Sequence, residues 1–266
     1  MTNFLLIDAF ANAPFTGNPA AVVFLDREWP DEPYLQALAM EFNQAETAYV
    51  RPRDDGDFDL RWFTPAREVV LCGHATLAAA HALREWGIVR ADQRVRFMTR
   101  FSGELICTFD RGVITMDFPA TPPTPAALPD DAAAVLRVDG PVACVGSAAM
   151  NLTLRLPVQS QIAAAKPDLK VLATWHPIGV TITAPGDENG IDFVSRFFAP
   201  AAGIDEDPVT GSAHCTLAVY WSSQLNKTKF TALQLSRRGG WLEVELMGER
   251  VALSGKAITT ARGAIG

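Results

Sequence analysis

The sequence predicts an α+β protein built from two similar halves, each a curved sheet or barrel wrapped around one apolar helix. Three observations carry this. The first is the stretch Arg61–Gly87, in which extended residues give way at Cys72-Gly73-His74 to an alanine- and leucine-rich run of high helix propensity. That run carries no charge until Arg84, so it belongs inside a protein rather than on its surface. The second is a related stretch, Arg196–Gln224. Arg61, Phe63 and Pro65 match Arg196, Phe198 and Pro200, and Gly73-His74-Ala75 matches Gly211-Ser212-Ala213. Both copies run on into Thr-Leu-Ala, which marks an internal duplication. The third is the order of elements, strand-rich and without the regular strand–helix alternation of a doubly wound fold.

Taken from the start, residues 4–10 form an apolar strand. The loop ANAPFTGNP follows, its Asn, Gly and Pro residues ruling out regular structure. Residues 20–25 form a second strand. Leu35, Leu38, Ala39 and Phe42 recur at helical spacing after Asp31, a residue suited to the N-cap. Thr47–Val50 is extended, which leaves Gln44, Ala45 and Glu46 at the helix–strand junction. Residues 57–63 lead into the first repeat copy, whose helix ends at Gly87. Strands are expected at 94–99, 105–109 and 113–118. The proline-rich stretch 119–127 then reads as a stiff linker.

The second half opens with a short helix at 131–136. Strands follow at 142–145 and 151–156, a helix at 159–165, and strands at 180–184 and 192–198. Residues 241–246 and 250–254 close the chain. The domains this implies are 1–118 together with about 256–266, and about 128–255.

With 266 residues, 48% of them hydrophobic and 20% charged, the chain has ample material for a buried core. A net charge of −7 argues against nucleic acid or an anionic membrane as a partner. No apolar run is long enough for a transmembrane helix. The first residues, MTNFLLIDAF, lack the basic start of a secretory signal. Four cysteines without a C-x-x-C pair fit reduced thiols in the cytoplasm, and no metal site.

Candidate chemistry gathers at the two glycine turns. A turn that opens a helix offers free N–H groups and the positive end of the helix dipole, a setting for anions. His74 lies in the first turn of one such helix. It either caps the helix or acts in a pocket as a neutral donor, with the helix N-terminus holding its charge down. Glu46 is either a solvated strand-edge carboxylate or, beside an apolar element, a general acid/base. Asp205, Glu206 and Asp207 either complement the second helix dipole or accept a hydrogen bond from a substrate. Ser212 takes the place of His74 in the second copy. Cys72 invites a nucleophile or thiol-base reading, since a helix N-terminus lowers thiol pKa values. Its counterpart is Thr210, so no pair of thiols is available. Nucleotide, zincin and hydrolase motifs are missing.

Five segments in order resemble the PhzF family of phenazine biosynthesis-like isomerases and epimerases: residues 8–23 (DAFANAPFTGNPAAVV), 43–50 (NQAETAYV), 63–81 (FTPAREVVLCGHATLAAAH), 116–120 (MDFPA) and 197–218 (FFAPAAGIDEDPVTGSAHCTLA). The resemblance covers nearly the whole chain and implies a diaminopimelate epimerase-like fold, with the active site between the two halves. It also implies proton transfer without a cofactor on a small carboxylated substrate. By motif match Glu46 is the general acid/base, with His74 and Asp207 assisting. Asn18, Gly73, Gly211 and Ser212 are the substrate-binding positions, and a homodimer is expected. Two features depart from relatives: the thiol-dependent epimerases use two cysteines where this chain has Cys72 and Thr210, and Gln44 stands where phenazine enzymes carry a small hydroxyl residue. The remaining alternatives are a non-catalytic small-molecule-binding protein on the same fold and a single-thiol racemase using Cys72.

Overall fold

Period-two alternation on the strands sorts residues onto two faces, and the two faces of each sheet receive different helices. The computed structural model describes residues 2–266 except Arg27 and Ala91. The chain divides into two units, Met1–Asp117 with Ser254–Gly266, and Phe118–Leu253.

Unit 1 begins with β1 (Thr2–Ala9) and β2 (Asn18–Phe24), followed by α1 (Glu32–Phe42), β3 (Glu46–Pro52), β4 (Phe58–Phe63), the short β5 (Glu68–Val69) and α2 (Gly73–Glu85). A meander of β6 (Val95–Thr99), β7 (Glu104–Asp110) and β8 (Val113–Pro119) follows. Asp31 caps α1 as expected, its Oδ1 accepting from the Tyr34 N–H at 3.1 Å. Asn43 ends the helix in the left-handed region at φ 47°, returning its N–H to the Ala39 carbonyl. Leu35 and Ala39 of α1 pack on Val23, Tyr49 and Phe63, one face of the sheet. The other face carries Asn18, Ala20 and Val22 of β2 and Glu46, Ala48 and Val50 of β3.

α2 packs on that second face, against β1, β2 and β3. From His74 to Leu83 only His81 is less than fully buried. Alanines at 75, 78, 79, 80 and 82 let its backbone come close to the strands. Gly87, at φ 70°, stops it in the conformation that glycine tolerates best.

Unit 2 contains α3 (Ala132–Leu136), β9 (Ala143–Ala148), β10 (Asn151–Arg155), α4 (Gln159–Ala164), α5 (Leu169–Leu172), β11 (Val180–Pro185), β12 (Phe193–Ala199) and β13 (Ile204–Asp207). Then come α6 (Gly211–Leu225), β14 (Lys229–Gln234), β15 (Gly240–Met247) and β16 (Arg250–Gly255). β10 and β11 run parallel, as do β12 and β14, while β9/β10, β11/β12 and β14/β15 are antiparallel. Leu152, Leu154, Val180, Ile182, Val194 and Phe198 form the face covered by Leu136, Ile162 and Leu172 of the short helices. On the α6 side, Trp221 stacks on Phe193 at 5.7 Å and donates its Nε1–H to Thr183 Oγ1 at 3.1 Å.

The final strand, β17 (Ala257–Ile265), pairs antiparallel with β1 from Thr2 to Ala9, which brings the C-terminal segment into unit 1. The sequence pattern predicts that segment in the first domain but not as a strand. Its alternation is obscured by Thr, Arg and Gly residues. β14 was missed in the same way. Residues 119–127, expected as a linker, lie inside unit 2. Thr124 forms a two-way backbone bridge with Ser147, at 2.8 and 2.9 Å.

One bracket is repeated in both units. Arg61 of β4 grips Glu68 of β5 with Nε and Nη2 at 2.7 and 2.8 Å and lies over the Phe63 ring. Arg196 of β12 grips Glu206 of β13 at 2.6 and 3.0 Å and lies over Phe198. These bidentate pairs pin the short strand that leads to each central helix. Glu206 is therefore committed to Arg196, and residues 204–207 are strand rather than the first charged turn of α6.

Candidate active site

Asn18 is the first residue of β2 and Glu46 the first of β3, and the parallel register pairs Ala20 with Glu46. Both side chains point to the α2 face. Gly17 makes the approach possible. It sits at φ +69°, and a Cβ there would lie 2.2 Å from the Ala9 carbonyl oxygen, so only glycine can turn the chain so tightly into β2. α2 begins at Gly73, with Cys72 as its N-cap in extended geometry, and this sets His74 in the first turn.

Three side chains then meet on one imidazole. His74 Nε2 lies 3.0 Å from Glu46 Oε2, Asn18 Nδ2 lies 3.1 Å from His74 Nδ1, and Cys72 Sγ lies 3.5 Å from Nδ1 and 3.9 Å from Nε2. Asn18 is fully buried, His74 is 6% exposed and Cys72 7% exposed, while the Glu46 side chain keeps 13% of its surface open. Glu46 is thus the half-buried member of an otherwise buried group.

Electrostatics differ from what the helix terminus alone suggests. Burial, with the Glu46 carboxylate close by, pushes the Cys72 thiol up to about 11. The lowered, reactive thiol anticipated from the helix dipole is overruled by desolvation and a neighbouring negative charge. Burial lowers the His74 pKa, but the charges of Cys72 and Glu46 raise it above its ordinary value. The Glu46 carboxylate, 3.0 Å from Nε2, is the second charge that draws the imidazole up. The helix dipole, expected to hold it down, is the weaker influence at 3.0 Å from a full charge.

Glu46, Cys72 and His74 also place one oxygen, one sulfur and one nitrogen within 4.8 Å of one another, a donor set a divalent cation could use. Binding there would require the thiol to lose its proton and His74 to exchange a present hydrogen bond for the ion. No sequence spacing announces this trio, because two members adjoin a helix start and the third opens a strand.

The remaining predicted residues belong to unit 2. Thr210 is the N-cap of α6, matching Cys72, and Gly211 and Ser212 open the helix. Asp207 Oδ2 accepts a short hydrogen bond from Thr210 Oγ1. The residue that organises this turn is not among the predicted ones. Gln234, fully buried on β14, accepts the Thr210 N–H at 2.8 Å through Oε1. Its Nε2 donates to the Asp207 carbonyl at 2.8 Å and to Thr210 Oγ1 at 3.1 Å. The available signal was a lone glutamine at a core position of FTALQ, legible only once that segment is known to be a strand. His214, also buried, donates Nδ1–H to the Thr210 carbonyl at 2.8 Å.

A family model described as "phenazine biosynthesis-like protein" matches residues 7–263. The chain belongs to that family. It is 45% identical to an uncharacterized isomerase of Pseudomonas aeruginosa over 98% of this chain and 97% of the relative. A crystal structure of a PhzF-family phenazine biosynthesis protein from Enterococcus faecalis superposes with a TM-score of 0.91 at 38% identity, covering 98% of both chains. A probable proline racemase of Agrobacterium radiobacter shares the fold alone, with a TM-score of 0.65 at 11% identity over 100% of this chain and 93% of its own. The fold is of the racemase/epimerase type, and the chain is an enzyme of the isomerase class. No helix among the described residues is long and apolar enough to cross a membrane.

Proposed function

We propose that this family member moves a proton on a small carboxylated metabolite without a cofactor, and that Glu46 is the general acid/base. The observation that carries the reading is the Glu46–His74 pair, a partly open carboxylate 3.0 Å from a buried imidazole at a helix start. Such a carboxylate can take a proton from a carbon next to the substrate's carboxyl group. The electron pair passes into an enolate-like system, and Glu46 returns the proton to another carbon. His74 holds the Glu46 carboxylate in place.

Within unit 1 the acid/base work falls on one group, because Cys72 stays protonated to about 11 and makes a poor base. A single base favours a proton shift along one face of the substrate over two-base inversion at one carbon. Gly73 is assigned to substrate binding through its backbone N–H, at the positive end of the α2 dipole. Asp207, Gly211 and Ser212 are assigned to holding the substrate through the first turn of α6. The protein is expected to work as a homodimer, checked by sedimentation.

The test is turnover of a panel of carboxylated metabolites in deuterium oxide. Glu46→Gln should abolish both turnover and deuterium uptake into product, whereas Cys72→Ser should retain most of both. Unchanged turnover in Glu46→Gln would remove Glu46 from the chemistry. Loss in Cys72→Ser alone would favour a thiol base, and tight binding without exchange for every ligand would favour a binding protein.

A further inference from the structure

We propose that Glu46, Cys72 and His74 bind a zinc-type divalent cation in unit 1, and that the bound ion blocks the site. One carboxylate oxygen, one thiol sulfur and one ring nitrogen stand within 4.8 Å of one another. A tetrahedral zinc ion, with bonds of about 2.0–2.3 Å, sets its nitrogen and oxygen ligands about 3.3 Å apart and its nitrogen and sulfur ligands about 3.6 Å apart. His74 Nε2 is 3.0 Å from Glu46 Oε2 and 3.9 Å from Cys72 Sγ, so both edges reach those lengths with shifts of about 0.3 Å.

The donor types select the ion. Sulfur and imidazole nitrogen favour zinc and its neighbours over magnesium or calcium, which take oxygen. A coordinating thiol gives up its proton outright, here to solvent as the sulfur–metal bond forms. Thiolate and carboxylate then set two negative charges against the ion's two positive ones, and the imidazole is neutral. A site without net charge suits the burial observed, with Cys72 7% and His74 6% exposed. Asn18, fully buried with its side-chain amide 3.1 Å from Nδ1, supplies the outer partner that a ligating histidine keeps on its second nitrogen. No other grouping of three such donors occurs among the described residues. The matching turn of unit 2 carries Thr210 and Ser212 in place of Cys72 and His74, so it lacks both soft ligands.

Three protein ligands leave the fourth position of the ion to water or to a carboxylate. The ion also takes up the Glu46 oxygen that the proposed proton transfer uses. Inhibition by the ion therefore rests on the reading of Glu46 as the base, whereas binding of the ion does not.

The experiment is anaerobic titration of the full-length protein with cobalt(II) chloride, read by absorption, with zinc chloride added at the end. The native protein should take up one cobalt ion per chain, with a thiolate-to-cobalt charge-transfer band and the intense visible bands of four-coordinate cobalt. Zinc should erase both, because it binds such donors more tightly than cobalt does. Cys72→Ser should abolish the charge-transfer band, and Cys144→Ser, at the one cysteine that is not fully buried, should keep it. Glu46→Gln and His74→Gln should each weaken cobalt binding by about tenfold or more. A native protein without the band, a band kept in Cys72→Ser, or unchanged affinity in Glu46→Gln or His74→Gln would overturn the proposal. No turnover is measured, so the outcome is independent of the Glu46→Gln activity test.

Discussion

The two units carry matching helices that begin alike and are surrounded differently. α2 starts after Cys72 with Gly73-His74, and α6 after Thr210 with Gly211-Ser212. Each is preceded by an Arg–Glu bracket over a phenylalanine. Around α2 the sheet offers alanines and valines, with its polar residues Asn18 and Glu46 at the strand starts, next to the helix N-terminus. Around α6 the sheet offers Asn151, Thr153, Thr181, Thr183 and Ser195, all buried. The first turn in unit 1 is met by the Glu46–His74 pair, and the turn into α6 is met by the amide of Gln234 and the carboxyl group of Asp207.

Two buried histidines sharpen the difference. His74 is drawn upward by Cys72 and Glu46. His214 is held down to about 4 by burial, with its proton on Nδ1 in the bond to the Thr210 carbonyl and its ring against Phe193. Its Nε2 has no hydrogen-bond partner among the described residues. Desolvation acts on both rings, and a neighbouring carboxylate reverses the result for one. The two copies of one turn thus shift their histidines in opposite directions.

The largest expected effect tests that division directly. Glu46→Gln should lower kcat by about 10²- to 10⁴-fold, the usual worth of a general acid/base. Asp207→Asn should cost only about tenfold, as expected for a group whose hydrogen bond to Thr210 Oγ1 an amide oxygen can still accept. Equal losses in steady-state kinetics would show that acid/base work is not confined to unit 1.

Next comes the pH dependence of unit 2. The folded pKa of His214 is depressed to about 4 from an ordinary 6.5, so the folded state binds its proton less readily than the unfolded chain. Its contribution is fully present above about 6.5 and is lost as pH falls towards 4, on the order of 3 kcal/mol in all. Urea unfolding at pH 7, 5 and 4 should show a steeper acid loss in the native protein than in His214→Phe. Parallel losses would refute a neutral buried imidazole.

Gln234→Ala removes the partner of a buried N–H and a buried carbonyl, and should cost about 2–3 kcal/mol in urea unfolding at neutral pH. A cost near zero would mean that Thr210 and Asp207 find other partners. The smallest effect concerns the shared brackets. Arg61→Lys loses a bidentate, partly buried pair and should destabilise by about 1 kcal/mol, and Arg196→Lys should cost more, because Arg196 Nη1 also donates to the Ile162 and Ala165 carbonyls at 3.1 and 2.7 Å. Equal costs in urea unfolding would mean that the two carbonyl contacts of Arg196 add nothing to its bracket.

Much of the site was legible in the residues. The duplicated glycine turns located both helix starts to within a turn, because glycine followed by an apolar run is a local signal with a local cause. The resemblance named Glu46, His74 and Asn18, and these three do meet in unit 1. What stayed hidden was their mutual effect. Cys72 looked activated and is the reverse, since the helix dipole is visible in sequence and burial beside Glu46 is not. Gln234 gave no signal because its strand was missed, and β17 was missed because the partner that makes it a strand, β1, lies at the other end of the chain.

By itself, then, the sequence determined the duplication, the two buried helices and the identity of the groups at their N-termini. These depend on propensity, glycine placement and hydrophobic period, which act over a few residues. Only the tertiary structure decided the protonation of those groups. A proton's position answers to charges and donors within a few ångströms, and here they arrive from strands 56 residues away in the case of Asn18 and 28 in the case of Glu46.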